Sequence, residues 1–408
     1  MNKTHDESVY EPQEDSFLLA KSVALFARGS VLDMGTGSGI QAITAAQQKN
    51  VESVLAVDVN KQTLAYAKEH SRHEKIAYQY SDLFKHIKKQ QFDTIIFNPP
   101  YLPNEDTVQK VWNIALEGGK KGYELIERFM GQASNYLKDS GIILLLFSSL
   151  THQAKVDEII KKYGLMSVKT DEQKIDFETL YVYKIIKDPF IVHLNKKGIQ
   201  EVQRFTHGKR GVIYTGLYRN KKVAIKQQKR ETKTYTLINE VATLKKLRRY
   251  KIGQPVLFAE HADGEQPFTY FVYPFAEGQF VLEFLQDTET TPQDVKNFVQ
   301  QLLKTMRQLD TLHINKEEMH HPLKHIIVQK RSKKLGITLL DFERAKYTPK
   351  PHNVSQFCEF LCRARSMLQK KGLQISVQKL RSAVQQYQTE QNEENMEKIL
   401  KMLKLANS

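Results

Sequence analysis

The sequence predicts an α/β protein in which a parallel sheet with alternating helices is followed by a second, α+β unit. Two patterns predict the sheet: an apolar strand running into a glycine-rich turn, and acidic residues ending the strands that follow. Length and charge predict the second unit, because 408 residues exceed one typical domain. Residues 1–188 hold 23 Lys+Arg and 25 Asp+Glu, whereas residues 189–408 hold 38 and 21, so the net charge of +15 is −2 plus +17. We therefore expect domains of 1–188 and 189–408, the second with a C-terminal helical extension.

The glycine-rich turn follows an extended stretch at residues 30–32 and has the spacing D-x-G-x-G-x-G, with Asp33, Gly35, Gly37 and Gly39. Glycine permits a positive φ and lets a ligand approach the backbone. A turn that binds dinucleotide phosphates would read G-x-G-x-x-G. The spacing found here resembles motif I of S-adenosylmethionine-dependent methyltransferases, whose ligand presents an amino-acid end, so an acid at Asp33 is acceptable near its ammonium group.

Acidic residues end the next two extended stretches. Asp58 follows residues 54–57, at the position where a doubly wound sheet places the acid that holds ribose hydroxyls. Asp82, followed by Leu83, comes after another short strand and is placed to meet the adenine amino group. Either acid alone is an ordinary turn residue. In this order they mark the carboxyl ends of consecutive strands, where such sheets bind ligands.

The residues Asn98, Pro99, Pro100 and Tyr101 follow a fourth apolar strand and suit methylation of a planar nitrogen. Such a nitrogen has its lone pair delocalised into a π-system, so it must be gripped by acceptors and held against an aromatic face. Asn98 Oδ1 and the Pro99 carbonyl can accept its protons, two prolines hold the backbone rigid, and Tyr101 supplies the stacking face. The alternative is an ordinary turn after a strand.

The segment at residues 10–19, YEPQEDSFLL, resembles the opening of the archaeal and eukaryotic branch of HemK-type protein glutamine methyltransferases. Similar matches at residues 115–122, 127–129 and 178–182 extend the resemblance over residues 8–188. It implies a Rossmann-like methyltransferase domain with a seven-stranded sheet, which methylates the side-chain amide of the glutamine in the GGQ loop of a class-1 translation release factor. The resemblance assigns the methyl donor to Ser16, Asp33, Gly35, Asp58, Asp82, Leu83 and Asn98, and the substrate glutamine to Asn98, Pro99, Pro100, Tyr101 and Leu102.

Two features of the resemblance leave questions open. Relatives often carry Glu at the position of Asp33 and a small or aromatic pair at Leu116 and Glu117, which affects the rim of the substrate cleft. The Asn-Pro-Pro-Tyr element also occurs in DNA adenine and ribosomal RNA guanine methyltransferases. An alternative acceptor is therefore a nucleic acid base, with the basic second half holding phosphates. Relatives of this branch work with a small zinc-binding activator protein, which is an expected partner.

The second half contains several segments in the order found in protein kinases. A glycine-rich stretch with Gly208 and Gly211 precedes V-A-I-K at residues 223–226, and D-F-E follows at residues 341–343. Residues 200–347 resemble the archaeal protein kinases related to the RIO group, which implies a bilobal fold and a site for ATP and Mg²⁺. The resemblance assigns nucleotide binding to Gly208, Gly211, Lys226, Glu240 and Asp341.

The catalytic loop departs from the kinase pattern. Aligning residues 319–327 with H-R-D-L-K-P-x-N places either Pro322 or His321 at the catalytic Asp and an isoleucine at the metal-binding Asn. Open alternatives are an unusual kinase or ATPase, a nucleotide-binding pseudokinase, and a docking module without catalysis. His320, His321 and His325 are interpreted as a polar loop, because no carboxylate spacing beside them predicts a metal site.

Composition bears on compartment and partners. Cys358 and Cys362 are the two cysteines, and their spacing predicts small buried residues of a helix, neither a disulfide scaffold nor a metal site. The sequence contains no apolar run of about 18 residues, so it predicts no membrane span. We expect a cytoplasmic protein without membrane contact, whose basic half attracts RNA, the ribosome or an acidic protein.

Overall fold

The structure, a computed structural model, describes residues 11–101, 121–207, 211–229, 236–262, 267–331 and 334–405. Some residues with predicted roles lie outside this described part, namely Leu102, Gly208, Tyr10 and residues 115–120. The roles expected of them stay predictions. The chain divides into two compact units, Met1–Arg204 and Phe205–Ser408. This division falls 16 residues beyond the boundary expected at residue 188, and each unit is described by itself.

The first unit alternates helices with strands. Its elements are α1 (Glu14–Phe26), β1 (Gly29–Met34), α2 (Ile40–Ala46), β2 (Val51–Asp58), α3 (Lys61–His70), β3 (Ile76–Tyr80), β4 (Phe92–Phe97), α4 (Glu124–Tyr136), β5 (Leu137–Ser148), α5 (Gln153–Lys162), β6 (Leu165–Ile175), β7 (Glu178–Lys187) and α6 (Pro189–Lys196).

The strands of the first unit form one seven-stranded mixed sheet in the order β3-β2-β1-β4-β5-β7-β6. The pairs from β3 to β5 are parallel, whereas β7 is antiparallel to both β5 and β6. The seven-stranded α/β sheet expected from the sequence is confirmed. Chain order reverses direction at β1, between β2 and β4, and such a switch point opens a crevice at the carboxyl ends of the strands.

Apolar layers cover both faces of this sheet. Because side chains alternate along a strand, Ile95 and Phe97 enter one cluster with α4 and α5, and Ile96 enters the other with α1 and α2. Burial on both faces explains the nearly continuous apolar sequence of β4 and β5. The two layers hold the strand ends rigidly around the crevice.

The second unit begins with strands and ends with helices. Strand β8 (Ile199–His207), which the division at Arg204 crosses, is followed by β9 (Gly211–Tyr218), β10 (Lys221–Gln228), α7 (Thr236–Leu247), β11 (Phe258–Glu260), β12 (Tyr270–Pro274), β13 (Gln279–Phe280), α8 (Val281–Gln286), α9 (Pro292–Thr311), β14 (Ile314–Asn315), β15 (Ile326–Arg331), β16 (Lys334–Leu339), β17 (Lys346–Tyr347), α10 (Asn353–Arg363), α11 (Arg365–Lys370), α12 (Val377–Thr389) and α13 (Glu393–Met402).

The five strands β11-β12-β10-β9-β8 form one sheet, in which β10 is antiparallel to both β9 and β12. The later strands form two small sheets, β13-β15-β16 and β14-β17. Helices α9, α10 and α12 contribute to a large apolar cluster that also includes Cys358 and Cys362. The two cysteines are buried and free, as the sequence predicts. No helix in the described ranges is long and apolar enough to cross a membrane.

A buried carboxylate, Asp310 in the last turn of α9, joins three helices of the second unit. It accepts hydrogen bonds from the Asn353 backbone N–H at 2.9 Å, the Asn353 amide at 2.7 Å and the Val354 N–H at 3.2 Å. The Tyr387 hydroxyl of α12 lies 3.3 Å away. Asp310 thus satisfies N–H groups at the start of α10 that helix geometry leaves without partners.

We expect Asp310→Ala to lower the free energy of unfolding by about 3 kcal/mol, because buried donors lose a charged acceptor. Urea denaturation followed by circular dichroism measures this change. Glu394→Gln, at an exposed surface pair, is the control and should change stability little. A loss for Asp310→Ala no larger than that of the control contradicts the role given to this carboxylate.

Candidate active site

The glycine turn lies at the carboxyl end of β1, in the crevice of the first unit. Gly37 has φ of +54°, and among the described residues a Cβ built on it would have the Gly35 carbonyl oxygen, at 3.9 Å, as its one neighbour within 4 Å. The backbone there is open to an approaching molecule. Gly39 has φ of +84°, and a Cβ there would lie 2.7 Å from Ser71 Oγ, so this glycine is needed for packing. The turn therefore combines an open cradle with a tight support.

Strand register brings the predicted site residues together. Met34 at the end of β1 is the register partner of both Val57 in β2 and Phe97 in β4. Asp58 and Asn98 are the next residues after these two partners, so both lie beside the glycine turn. The structure thus places Asp58 and Asn98 on either side of the glycine turn, at the carboxyl end of the sheet.

Asp33 is buried directly beneath the turn, with 1% of its surface exposed. The Thr36 hydroxyl donates to its Oδ2 at 2.6 Å. Burial raises the pKa of Asp33 to about 7, and the charge of Asp58 adds to this effect. An acid in this state gains interaction energy when a cationic group binds next to it.

Asp58 fastens the glycine turn to the second strand. Its Oδ2 accepts from the Gly37 N–H at 3.0 Å, and its Oδ1 accepts from the Asn60 N–H at 2.8 Å. Burial raises the pKa of Asp58. Each carboxylate oxygen can accept a further hydrogen bond, so Asp58 can hold the turn and hydroxyl groups of a ligand together.

Asp82 follows β3, and its neighbour Ser81 donates its N–H to the Asp58 carbonyl at 2.9 Å. Its carboxylate pairs with Arg128 at 3.2 Å and is 44% exposed. Leu83 is buried with φ of +46°. The backbone at residues 81–83 therefore lines the same sheet edge, and Arg128 is a neighbour that the sequence pattern does not predict.

Asn98 is oriented by Asp15, a residue in the first turn of α1. Asn98 Nδ2 donates to Asp15 Oδ2 at 2.8 Å, and the Ser16 N–H donates to Asp15 Oδ1 at 2.6 Å. Asn98 Oδ1 is buried and has no hydrogen-bond partner among the described residues. The sequence interpretation missed Asp15 as a site residue, although the acid stands beside Ser16 in the matched N-terminal segment.

The neighbouring residues complete the site. Ser16 is buried, and its carbonyl accepts from Gln41 Nε2 at 2.8 Å. Pro99 is buried, Pro100 is half-buried, and the Tyr101 ring packs partly against the apolar cluster that includes residues of α1. These contacts hold the Asn-Pro-Pro-Tyr backbone in place; the stacking role of Tyr101 stays a prediction.

A second cluster of charged groups lies in the second unit, around Lys226. Its Nζ lies 2.6 Å from Glu240 Oε2, 3.2 Å from Asp341 Oδ1 and 3.4 Å from Glu343 Oε2. Burial lowers the pKa of Lys226, but the charges of Glu240 and the other carboxylates outweigh burial and raise it. The structure thus brings together Lys226, Glu240 and Asp341, as expected; Gly211 begins β9.

Three further residues belong to this cluster, and the sequence patterns did not place them beside Asp341. Lys316 is buried and donates to the Asp341 carbonyl at 3.0 Å, and burial lowers its pKa to about 8. His325 Nε2 lies 3.4 Å from Glu318 Oε2, and burial lowers the pKa of this histidine. Neither alignment of the catalytic loop places His325 next to Asp341. The polar-loop interpretation of His325 did not relate this residue to Glu318, seven residues earlier in the chain.

Fold and site together define an S-adenosylmethionine-dependent methyltransferase. The open glycine turn and the buried acids Asp33 and Asp58 fit a ligand that carries an ammonium group and hydroxyls. In agreement, residues 11–176 match the family described as Methyltransferase small domain.

Individual relatives identify the family more closely. A candidate protein N5-glutamine methyltransferase of Methanocaldococcus jannaschii is 37% identical over 184 residues, which are 44% of this chain and 92% of that protein. Methyltransferase HEMK2 of Homo sapiens is 28% identical, over 44% of this chain and 90% of its own. A release factor glutamine methyltransferase of Streptococcus pneumoniae is 32% identical, over 39% of this chain and 60% of its own. The chain belongs to the family of protein N5-glutamine methyltransferases.

We expect the affinity for S-adenosylmethionine to rise as pH increases through about 7, because Asp33 ionises there and its charge attracts the ligand's ammonium group. Affinity should fall again when an α-amino group, with an ordinary pKa of about 8, loses its proton. Isothermal titration calorimetry at several pH values measures this profile.

Asp33→Asn should abolish the rise at low pH, since an amide does not ionise there. Asp139→Asn, at an exposed acid of the same unit, is the control and should retain the profile. An unchanged rise in Asp33→Asn rejects Asp33 as the titrating group.

Proposed function

We propose that the first unit methylates the side-chain amide nitrogen of a glutamine in the GGQ loop of a class-1 translation release factor. The observation that carries this proposal is Asn98, whose Nδ2 is held by Asp15 while its buried Oδ1 has no partner among the described residues. A buried acceptor without a donor is costly, and a substrate N–H supplies that donor. The same oxygen suits a planar nitrogen that carries N–H groups, as a primary amide does.

The chemistry follows from these acceptors. S-adenosylmethionine, when bound, supplies a methyl group on a positively charged sulfur. Asn98 Oδ1 and the Pro99 carbonyl hold the two N–H groups of the glutamine amide, which orients the nitrogen lone pair. The new N–C bond forms as the S–CH₃ bond breaks with its electron pair moving to sulfur, and one N–H proton leaves to water. Asn98 and Pro99 therefore act by orientation and by stabilising the nitrogen as it becomes positive.

Donor binding falls to the other end of the crevice. In this proposal Asp33 faces the ammonium group, Asp58 holds the ribose hydroxyls, and Asp82 with Leu83 meets the adenine. The raised pKa of Asp33 and of Asp58 supports this division, because a ligand that brings a cation or donates hydrogen bonds stabilises the charged form of both carboxylates.

The choice of a release factor rests on the resemblance and on the relatives. The Streptococcus pneumoniae relative is named a release factor glutamine methyltransferase. The segment at residues 10–19 favours the branch that works with a small zinc-binding activator, which we include as a proposed partner. Such a substrate places the reaction in the cytoplasm. The excess positive charge of residues 189–408 would favour contact with RNA or the ribosome.

A methyl-transfer assay tests the proposal. The full-length chain is incubated with radiolabelled S-adenosylmethionine and a GGQ release factor, its GGQ→GGN variant, or total RNA, each with and without the activator. We expect label on the GGQ protein alone. Label on RNA instead would reject glutamine as the acceptor and favour the nucleic-acid alternative.

Variants test the role of the site in the same assay. Asn98→Ala should lower kcat by about 100-fold or more, because it removes a group that acts on the reacting nitrogen. Asp15→Ala should lower kcat with little change in KM, whereas Asp15→Asn should restore much of it, since its amide oxygen can still accept from Asn98. Near-normal turnover of Asn98→Ala rejects the assignment, and equal losses in both Asp15 variants reject the positioning role.

As a second candidate function, we propose that the second unit is a kinase-like module that binds ATP with Mg²⁺. The supporting observation is the ion pair of Lys226 with Glu240 at 2.6 Å, together with Asp341 at 3.2 Å from the same ammonium group. A lysine on a strand, a glutamate on a helix and an aspartate after a later strand hold nucleotide phosphates and metal in kinases. Catalysis is not part of this proposal, since the catalytic Asp has no counterpart in either alignment.

Glu343 occupies the position of the glycine in D-F-G and competes for Lys226. Its carboxylate is 9% exposed and lies 3.4 Å from the Lys226 ammonium group. A nucleotide phosphate must share Lys226 with this negative charge. The second unit should therefore bind ATP weakly until the charge of Glu343 is offset.

We expect Glu343→Gln to tighten binding of a fluorescent ATP analogue with Mg²⁺ by about tenfold, because a buried negative charge near the phosphates is removed. Lys226→Met should bind the analogue more weakly than Glu343→Gln does, because it removes the ammonium group. Glu283→Gln, at a glutamate outside the cluster, is the control. Fluorescence anisotropy measures the Kd. If neither the wild type nor Glu343→Gln binds the analogue, the nucleotide proposal fails.

A further inference from the structure

His325 stands between two carboxylates in the second unit. Its Nε2 lies 3.4 Å from Glu318 Oε2, and its Nδ1 lies 3.9 Å from Asp341 Oδ2. The ligand atoms that these three residues offer all lie within 4.8 Å of one another. The side chain of His325 is 17% exposed, so water has limited access to the ring.

The two ring nitrogens of His325 are in different situations. A neutral imidazole has one N–H and one lone pair. Glu318 lies on the Nε2 side and can accept the N–H there, which leaves the lone pair on Nδ1. Nδ1 is buried, has no hydrogen-bond partner among the described residues, and faces an oxygen of Asp341. Two acceptors that face each other repel, unless a positive ion lies between them.

The surroundings also carry an excess of negative charge. Four carboxylates, those of Glu240, Glu318, Asp341 and Glu343, are gathered around three cationic groups: the ammonium groups of Lys226 and Lys316, and the Arg344 guanidinium, which pairs with Glu318. Lys226 contacts Asp341 through Oδ1, so Oδ2 is directed to His325. A divalent cation at this point would offset the remaining negative charge and occupy the oxygen that Lys226 leaves available.

We propose that the second unit binds a divalent transition-metal ion through His325 Nδ1 and Asp341 Oδ2, with Glu318 orienting the imidazole. Two bonds of about 2.1 Å that meet at a wide angle span the separation of 3.9 Å. An imidazole ligand favours ions such as Zn²⁺, Co²⁺ or Mn²⁺ over Mg²⁺, which prefers oxygen. A carboxylate that accepts the other ring N–H is the usual support of a metal-bound histidine.

This inference goes beyond the proposed functions. It concerns the metal alone, so it stands or fails without nucleotide and without methyl transfer. It assigns His325 Nδ1 and Asp341 Oδ2 to an ion of another class than the Mg²⁺ that accompanies ATP in the proposed function.

Cobalt binding tests the proposal. The untagged full-length chain, freed of metal with a chelator that is then removed, is titrated with Co²⁺ and followed by its visible absorption. We expect one site whose spectrum shows a nitrogen ligand, and a roughly 100-fold excess of Mg²⁺ should leave the spectrum unchanged. Glu318→Ala should weaken binding by about tenfold, because the ring loses its orienting partner.

His325→Asn, which substitutes an oxygen ligand, should lose the spectrum and become sensitive to Mg²⁺. His320→Asn, which changes one of the other twelve histidines of the chain, is the matched control and should bind Co²⁺ as the wild type does. Circular dichroism shows whether each variant is folded; if His325→Asn is not, Asp341→Asn takes its place in the titration. An unchanged spectrum in the folded variant, or displacement of Co²⁺ from the wild type by Mg²⁺, overturns the proposal.

Discussion

The parallel register of β1 with both of its neighbours is the constraint on which the first unit depends. Met34 pairs with Val57 on one side and with Phe97 on the other, so three strands end at the same level. The glycine turn, Asp58 and Asn98 are each the immediate continuation of one of these strands. A shift of one residue in either pairing would turn the site residues to the opposite face of the sheet. Packing of apolar layers on both faces prevents such a shift.

Hydrogen bonds within the protein hold the buried polar groups of the first unit in place. Asp58 holds the backbone of the glycine turn, and Asp15 holds the amide of Asn98, so two carboxylates already order the crevice. Burial of these groups also costs free energy. It opposes the charge of Asp58, and it leaves Asn98 Oδ1 without a donor among the described residues. A ligand that donates hydrogen bonds to Asp58 and Asn98 recovers that free energy, which links the stability of the site to its chemistry.

The two units differ in how they treat charge. In the first, Asp33 and Asp58 lie near each other and have no basic partner among the described residues, which suits a ligand that brings the positive charge. In the second, Lys226 lies among three carboxylates, so its positive charge is already offset by the protein. This unit carries most of the net positive charge of the chain, yet its central cluster is acidic. The basic surface and the acidic cluster are therefore features with separate roles.

The sequence by itself determined the seven-stranded α/β fold, the glycine turn and the Asn-Pro-Pro-Tyr element. These are local signals, since a strand, a turn and the residues after it are set by neighbours along the chain. Only the tertiary structure decided which distant groups meet. Asp15 and Asn98 are 83 residues apart, and Lys226 and Asp341 are 115 apart. His325 acquires Asp341 as a neighbour only when β15 pairs with β16, because no spacing in the sequence encodes a distance across two strands.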